Sequence, residues 1–138
     1  MALIDYTDME DEIKDAPEPK VLKAGTEVKV RITSVRTGTS EKNDADYFMP
    51  TLEVPDDPMV KEFNDFHWVL DREALTAKEF ERAKYKFSQF VKCFGVNLAR
   101  PFDPEEDLVG LEGWIVVGLR KSEEYGEQNT ISKYTTPK

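Results

Sequence analysis

Alternation of apolar and polar residues predicts three strands in the first half of the chain. In residues 21–35 valine and isoleucine alternate with charged residues, as in a strand with one buried face. Shorter patterns of the same kind cover residues 47–54 and 66–70, although Pro50 in the earlier one favours an edge strand or a bulge. The pattern in residues 66–70 does not decide which face of that strand is inside.

A helix is predicted between Thr76 and Gly95. Thr76 and Glu79 have the spacing of a capping box at a helix start, and Gly95 suits the residue that ends a helix. The apolar residues between these ends recur at helical spacing, and they are Phe80, Ala83, Phe87, Phe90, Val91 and Phe94. This stripe indicates a helix packed on the core, with Cys93 as an ordinary thiol beside the stripe centre.

Two further strands are predicted at the end of the chain. Residues 114–119 and 129–134 are β-prone, and the polar loop Ser122–Gln128 joins them into a hairpin. Ile115, Val117 and Leu119 form the better core set, which leaves Trp114 on the outer face. Tyr125 lies in the loop beside a glycine, and binding residues tend to collect in loops held by a rigid sheet.

The predicted order of elements is β-β-β-α-β-β. A mainly β chain of five strands with one amphipathic helix between strands 3 and 4 has the order of an OB-fold barrel, whose helix plugs one end. Such barrels bind ligands across strands 2 and 3, between the loop joining strands 1 and 2 and the loop joining strands 4 and 5. In this chain those loops are Thr37–Asp46 and Ser122–Gln128.

Composition divides the chain into two parts. Its 138 residues suit one folded domain, predicted to cover residues 21–138. Residues 1–20 hold seven acids and two lysines and include the sequence Ala16–Pro19, so they are predicted to form an acidic flexible arm with a short helix from Tyr6 to Lys14. Such a charge run is usually a solvated tail, but it can also compete with an anionic ligand or recruit a partner.

The charge and cysteine content bound the function. A net charge of −9 argues against nucleic acid as a ligand, unless a local basic strip lies away from the acids. No apolar run reaches the roughly 20 residues of a membrane helix, and the first residues lack an apolar signal core. A single cysteine cannot form an internal disulfide, so we expect a cytoplasmic protein.

The chain lacks the motifs of an enzyme. It contains no glycine-rich phosphate loop, no paired cysteines or histidines, and no convincing set of partners for its one histidine, His67. Acids in the loops, such as Asp44 and Asp56, could bind a divalent ion, but loop acids are usually just solvated. We therefore expect no catalysis, no cofactor and no metal site.

Several segments resemble bacteriophage-encoded single-stranded DNA-binding proteins. These are Lys23–Val30, the aromatic helix segment Lys86–Val96, and Leu108–Trp114 followed by Glu124–Tyr134. The resemblance covers roughly residues 21–135, and it implies an OB fold without catalysis that binds DNA intermediates of replication and recombination in the host cell cytoplasm. Proteins of this kind often end in an acidic tail that contacts replication proteins. Here the acids lie in residues 5–18, so we expect the arm to take that role.

Binding of single strands combines a basic groove with aromatic rings on which bases stack. The candidate residues for these roles are Lys29, Arg31, Arg36, Lys42, Tyr47, Trp114, Arg120, Lys121, Tyr125, Asn129, Lys133 and Tyr134. Trp68 is a further ring that fits the core better. The cations can also simply solubilise the sheet, the rings can pack in the core, and Asn129 can hydrogen-bond a base or hold its own loop.

A different class of function also fits the acidic composition. An acidic OB-fold adaptor, or a protein that mimics DNA, would bind a basic protein partner and would have no affinity for oligonucleotides.

Overall fold

The computed structural model describes residues 2–136, and within them one antiparallel sheet of six strands dominates the fold. The strands are β1 (Glu27–Thr39), β2 (Asp46–Glu53), β3 (Phe63–Asn64), β4 (His67–Trp68), β5 (Glu112–Ser122) and β6 (Gly126–Tyr134). The sheet order is β3-β2-β1-β5-β6. Strand β4 is not part of this linear order, because it also pairs directly with β2. The helices are α1 (Glu10–Lys14), α2 (Ala77–Phe94) and α3 (Pro104–Asp107). The predicted mainly β class is confirmed.

Strand β1 belongs to both halves of the sheet. Its first residues pair with β5 and its later residues pair with β2, with a shift of register between Ile32 and Ser34. It begins at Glu27 rather than at residue 21, because Gly25 adopts a left-handed turn with φ of 89° and donates its N–H to Val117. The predicted start of the first strand was therefore wrong, and its end lies four residues later than predicted.

Of the predicted third strand, residues 66–70, only His67 and Trp68 form a strand, β4. Two short strands, β3 and β4, flank Asp65 and Phe66, and the N–H of Asp65 donates to the carbonyl of Pro50 at 3.1 Å. His67 faces inward and is buried, while Phe66 and Trp68 are half-buried on the other face. The face that the alternation left open is thereby assigned.

Helix α2 follows the predicted pattern. Thr76 accepts from the N–H of Glu79, whose carboxylate accepts from the N–H of Thr76, and Gly95 ends the helix with φ of 71°. Phe90 and Phe94 lie in the main core, together with Val30, Ile32, Leu52, Leu108, Ile115 and Val117. Cys93 is also part of this core rather than beside it, and its burial raises the pKa of the thiol to about 11.

Side chains, rather than a strand ladder, connect the two ends of the sheet. Within the described residues β3 and β4 form no backbone ladder with β6, so strand pairing does not close the sheet into the predicted OB-fold barrel. Instead Tyr134 of β6 donates its hydroxyl proton to Asp65, and its oxygen lies 3.0 Å from Nε2 of His67. Lys86 of α2 reaches the other carboxylate oxygen of Asp65 at 2.9 Å. We call Asp65, His67, Lys86 and Tyr134 the clasp.

The clasp holds one ion pair, between Asp65, whose side chain is 12 % exposed, and Lys86, whose side chain is 42 % exposed. Burial by itself raises the pKa of Asp65, but hydrogen bonding to His67 and the charge of Lys86 lower it well below its usual range. Burial lowers the pKa of His67 and raises that of Tyr134. Asp65 is therefore the anion of the clasp, and His67 and Tyr134 are its neutral partners.

The hairpin of β5 and β6 is longer than predicted. The strands extend to Ser122 and from Gly126, so three residues of the predicted loop Ser122–Gln128 connect them. Leu119 was placed in the core by its alternation, and that assignment was wrong. Its side chain is 44 % exposed because this part of β5 projects beyond the core.

Residues 2–19 are exposed throughout and carry a 3-10 turn at Thr7–Met9 followed by α1, close to the predicted short helix. Lys20 then bridges to Val60 and joins the folded part. No helix in residues 2–136 has both the length and the apolar content needed to cross a membrane.

Candidate nucleic-acid interface

Three aromatic rings form a cluster on the outer face of β2 and β4. Tyr47 stacks on Phe66 with ring centroids 5.0 Å apart and an interplanar angle of 28°. Trp68 meets both rings edge to face, at 6.3 Å from Tyr47 and 4.7 Å from Phe66. All three side chains are half-buried, so they are fixed by one another while part of each ring meets solvent. We call these residues the aromatic platform.

A glycine on β1 allows the platform to form. Gly38 pairs with Tyr47 across β1 and β2. A Cβ atom at Gly38 would lie 2.6 Å from the hydroxyl oxygen of Tyr47 and 2.7 Å from the ring carbon that bears it. The ring of Tyr47 therefore lies over the backbone of β1, at a position where any larger residue would displace it.

An open cavity of about 550 Å³ borders the platform. One side of it is lined by Thr39 at the end of β1 and by Ser40, Glu41 and Lys42 of the loop that follows. The platform and Met49 line the other side. The loop is held in place because Ser40 donates its N–H to Ala45, which is buried against Leu75 and Phe80 near the start of α2. Lys42 is thus carried at the edge of the cavity by an anchored loop.

A second cavity, of about 230 Å³, lies between β3 and β6. Its lining includes Met49 and Phe66, which also line the first cavity, so the two cavities are adjacent. Arg120 and Gln128 supply the opposite wall, where the guanidinium of Arg120 donates to the side-chain oxygen of Gln128 at 3.1 Å. We call the two adjacent cavities the groove.

Cations and carboxylates both border the groove. Arg36 lies opposite Met49 on the sheet, and its guanidinium is 3.4 Å from the sulfur of Met49. Arg36, Lys42 and Arg120 are exposed and can meet an anionic ligand. Glu41 and Glu62 are carboxylates at the same cavities. The groove is therefore mixed in charge and is not a uniformly basic surface.

Four predicted residues lie on a different part of the outer face, on β1, β5 and β6. Lys29 pairs with Trp114, and Lys133 pairs with Val116 two residues farther along β5. Trp114 is 49 % exposed, which confirms its expected outward position. Arg31 is held by Glu53 at 2.7 Å and lies 3.8 Å from Glu112, so its charge is already matched. Trp114 and Arg120 are six positions apart on β5, about 20 Å along the strand.

The tip of the hairpin carries two more predicted residues. Tyr125 is 65 % exposed, and Lys121 is exposed opposite Glu127 on the projecting strands. Neither residue lines the groove. Because the tip follows directly after Arg120 and precedes Gln128 in the hairpin, it lies beside the groove.

Two predicted ligand contacts belong to the scaffold instead. Asn129 is buried, and its amide exchanges two hydrogen bonds with the backbone of Leu22 and donates a third to the carbonyl of Gly118. Asn129 could hydrogen-bond a base or hold its own loop, and in the structure its side chain holds the chain through these backbone contacts. Tyr134 is buried in the clasp and offers no ring for base stacking, so that prediction was wrong.

Phe66, Met49 and Gln128 line the groove but were not predicted as site residues. The sequence pattern favours a core position for Trp68, although Trp68 also borders the cavity. Cross-strand partners share a face of a sheet. The outward position of Trp68 beside Tyr47 therefore follows from the pairing of their two strands. That pairing needs the register, which alternation within one strand does not provide.

No model of a known protein family matches the chain, and no curated protein matches it either.

Proposed function

We propose that this protein binds single-stranded DNA without catalysing a reaction, by stacking unpaired bases on the aromatic platform. The observation that carries the proposal is the group of Tyr47, Phe66 and Trp68, three mutually packed rings that keep solvent-exposed area beside an open cavity. Stacking on such rings contributes about 1–3 kcal/mol per base and tolerates any sequence. Arg36, Lys42 and Arg120 are exposed cations beside the groove and are the proposed contacts to phosphates.

The arrangement of the strands supports an OB-fold assignment. The order β3-β2-β1-β5-β6, with α2 between β4 and β5, is the order of an OB-fold barrel. The platform lies on the second and third strands of that scheme, between the β1–β2 loop and the β5–β6 hairpin, where OB folds bind oligonucleotides. In this proposal the clasp closes the seam between the last strand and β3–β4 that backbone pairing leaves open.

A role in bacteriophage DNA replication and recombination completes the proposal. It is supported by the resemblance of the segments Lys23–Val30, Lys86–Val96, Leu108–Trp114 and Glu124–Tyr134 to the single-stranded DNA-binding proteins of bacteriophages. The exposed acidic arm is the part proposed to contact other replication or recombination proteins.

Fluorescence anisotropy with labelled oligo-dT and with duplex DNA of equal length tests the proposal. We expect binding of oligo-dT at low salt and much weaker binding of the duplex, whose bases are already stacked. Trp68→Ala is expected to weaken oligo-dT binding about tenfold, in line with the loss of one stacking partner. Tyr85→Ala is the matched control, because Tyr85 is an exposed ring on α2 that lies outside the groove. Absence of oligo-dT binding at low salt would overturn the proposal.

A specific observation also favours an acidic adaptor that binds a protein partner. Leu3, Ile4 and Tyr6 are more than half exposed on an arm crowded with carboxylates, and such a segment suits a basic partner with an apolar groove. Removal of residues 2–20 separates the two functions. The adaptor function requires loss of partner binding in the truncated protein, while the DNA-binding function requires that oligo-dT still binds.

A further inference from the structure

The smaller cavity of the groove differs from the larger one in its chemistry. The larger cavity is open and presents the rings of the platform, whereas the smaller one lies between the edges of β3 and β6 and is lined mainly by polar side chains. Its volume of about 230 Å³ is below the roughly 300–1,000 Å³ of pockets that hold whole small-molecule ligands. A cavity of this size suits one planar ring system entering from the neighbouring platform.

Several hydrogen-bond donors face this cavity. Gln128 has its side-chain oxygen engaged by Arg120, which leaves the amide N–H groups of Gln128 and the remaining guanidinium N–H groups as donors. Asn64 likewise uses its side-chain oxygen to accept from Thr51 at 2.9 Å. Asn129 is different, because its amide is already committed to Leu22 and Gly118.

One carboxylate in the lining is free to accept. Glu62 is exposed and forms no ion pair within the described part of the chain, whereas Asp65 is committed to the clasp. A carboxylate accepts two parallel N–H donors well. Guanine is the base that presents two adjacent N–H donors together with a carbonyl oxygen on its pairing edge, and unpaired bases are read on that edge.

We propose that the cavity between β3 and β6 is a base-reading subsite that accepts guanine. Glu62 accepts the two N–H donors of the base, and Arg120 and Gln128 donate to its carbonyl oxygen. This subsite rests on the proposed single-strand binding, because the base reaches the cavity from a strand already stacked on the platform. The protein then binds any single strand, but it holds a guanine at one position more tightly.

The test compares oligo-dT with oligonucleotides of the same length that carry one central dG, dA or deoxyinosine. We expect the dG oligonucleotide to bind about five- to tenfold more tightly than oligo-dT, as one good contact to a base edge provides. Deoxyinosine, which lacks one of the two N–H donors, is expected to fall between dG and dT. Glu62→Gln is expected to remove the preference for dG, so that this variant binds the dG oligonucleotide and oligo-dT with equal affinity.

Glu41→Gln is the matched control, because Glu41 is an exposed carboxylate at the larger cavity. It should retain the preference for dG. Equal affinities for dG and dT oligonucleotides, with oligo-dT still bound, would overturn the subsite and leave single-strand binding intact. A preference that survives in Glu62→Gln would also overturn it. Failure to bind any oligonucleotide would contradict the proposed function itself.

Discussion

Tyr134 ends the last strand with its ring in the core and its hydroxyl group in the clasp. The hydroxyl is the donor that satisfies one oxygen of Asp65, while Lys86 and His67 approach from other sides. The clasp thus depends on one phenolic proton at the point where the two ends of the sheet meet.

Tyr134→Phe tests the structural role of that hydroxyl group. We expect a loss of about 1–3 kcal/mol in the free energy of unfolding, since a buried carboxylate loses a hydrogen-bond donor. The measurement is urea denaturation. Oligo-dT affinity should change little in the folded protein. Tyr125→Phe, at the exposed tip, should change the unfolding free energy by less than about 0.5 kcal/mol. A large drop in oligo-dT affinity with an unchanged free energy of unfolding would contradict this role and would indicate that Tyr134 contacts the DNA.

His67 makes stability depend on pH. Burial lowers its pKa in the folded state, so the unfolded chain, with a pKa of about 6.5, takes up a proton more readily. Protonation therefore favours unfolding, and stability is expected to fall as the pH drops below about 6.5. The depressed pKa of Asp65 adds a second loss below about pH 4, where the unfolded carboxyl is protonated first.

Urea denaturation at pH 7.5 and 5.5 measures this dependence. His67 is the one histidine of the sequence, so a variant such as His67→Gln should lose most of the difference between the two values. Equal stability of the unsubstituted protein at both values would contradict a buried neutral His67.

At the scale of elements, α2 could be predicted because its signals are local. The capping box of Thr76 and Glu79 and the phenylalanine stripe lie within one helix and need no knowledge of the fold. The third strand could not be predicted in the same way. The break between β3 and β4 lies at Asp65 and Phe66, and the side chain of Asp65 meets residues of α2 and β6 that are distant in the sequence.

Alternation also failed where a strand leaves the core. Leu119 has the phase of an inward residue, but β5 continues past the core into the projecting hairpin, where Leu119 is 44 % exposed. The platform was found in part, through Tyr47, because Phe66 and Trp68 join it only by the pairing of β4 with β2.

A substitution at Gly38 tests whether the packing of β1 against Tyr47 of β2 supports DNA binding. Gly38→Ala places a methyl group against the ring of Tyr47 and should tilt that ring away from Phe66. We expect oligo-dT affinity to fall several-fold, with a change of less than about 1 kcal/mol in stability because the ring can move outward. Ser34→Ala is the control, since Ser34 is exposed on the same strand opposite Thr51. Unchanged affinity in Gly38→Ala would argue against stacking on Tyr47.

For the whole molecule, the net charge is −9, but the number of phosphate contacts sets the salt dependence of binding. Three exposed cations border the groove, so about three phosphate contacts are expected, and the slope of log K against log salt should be about −2 for a single strand. Arg36→Gln should make this slope shallower, whereas Lys133→Gln, on the distant part of the sheet, should alter it less. Equal effects of the two substitutions would indicate a binding surface wider than the groove.

The central claim is that unpaired bases stack on Tyr47, Phe66 and Trp68, and tryptophan fluorescence tests it most directly. The sequence holds two tryptophans, so Trp114→Phe leaves Trp68 as the single reporter within the platform. Saturating oligo-dT is expected to quench the emission of this variant strongly, while duplex DNA at the same concentration leaves it nearly unchanged. Tight binding of oligo-dT without any change in the emission of Trp68 would contradict the claim.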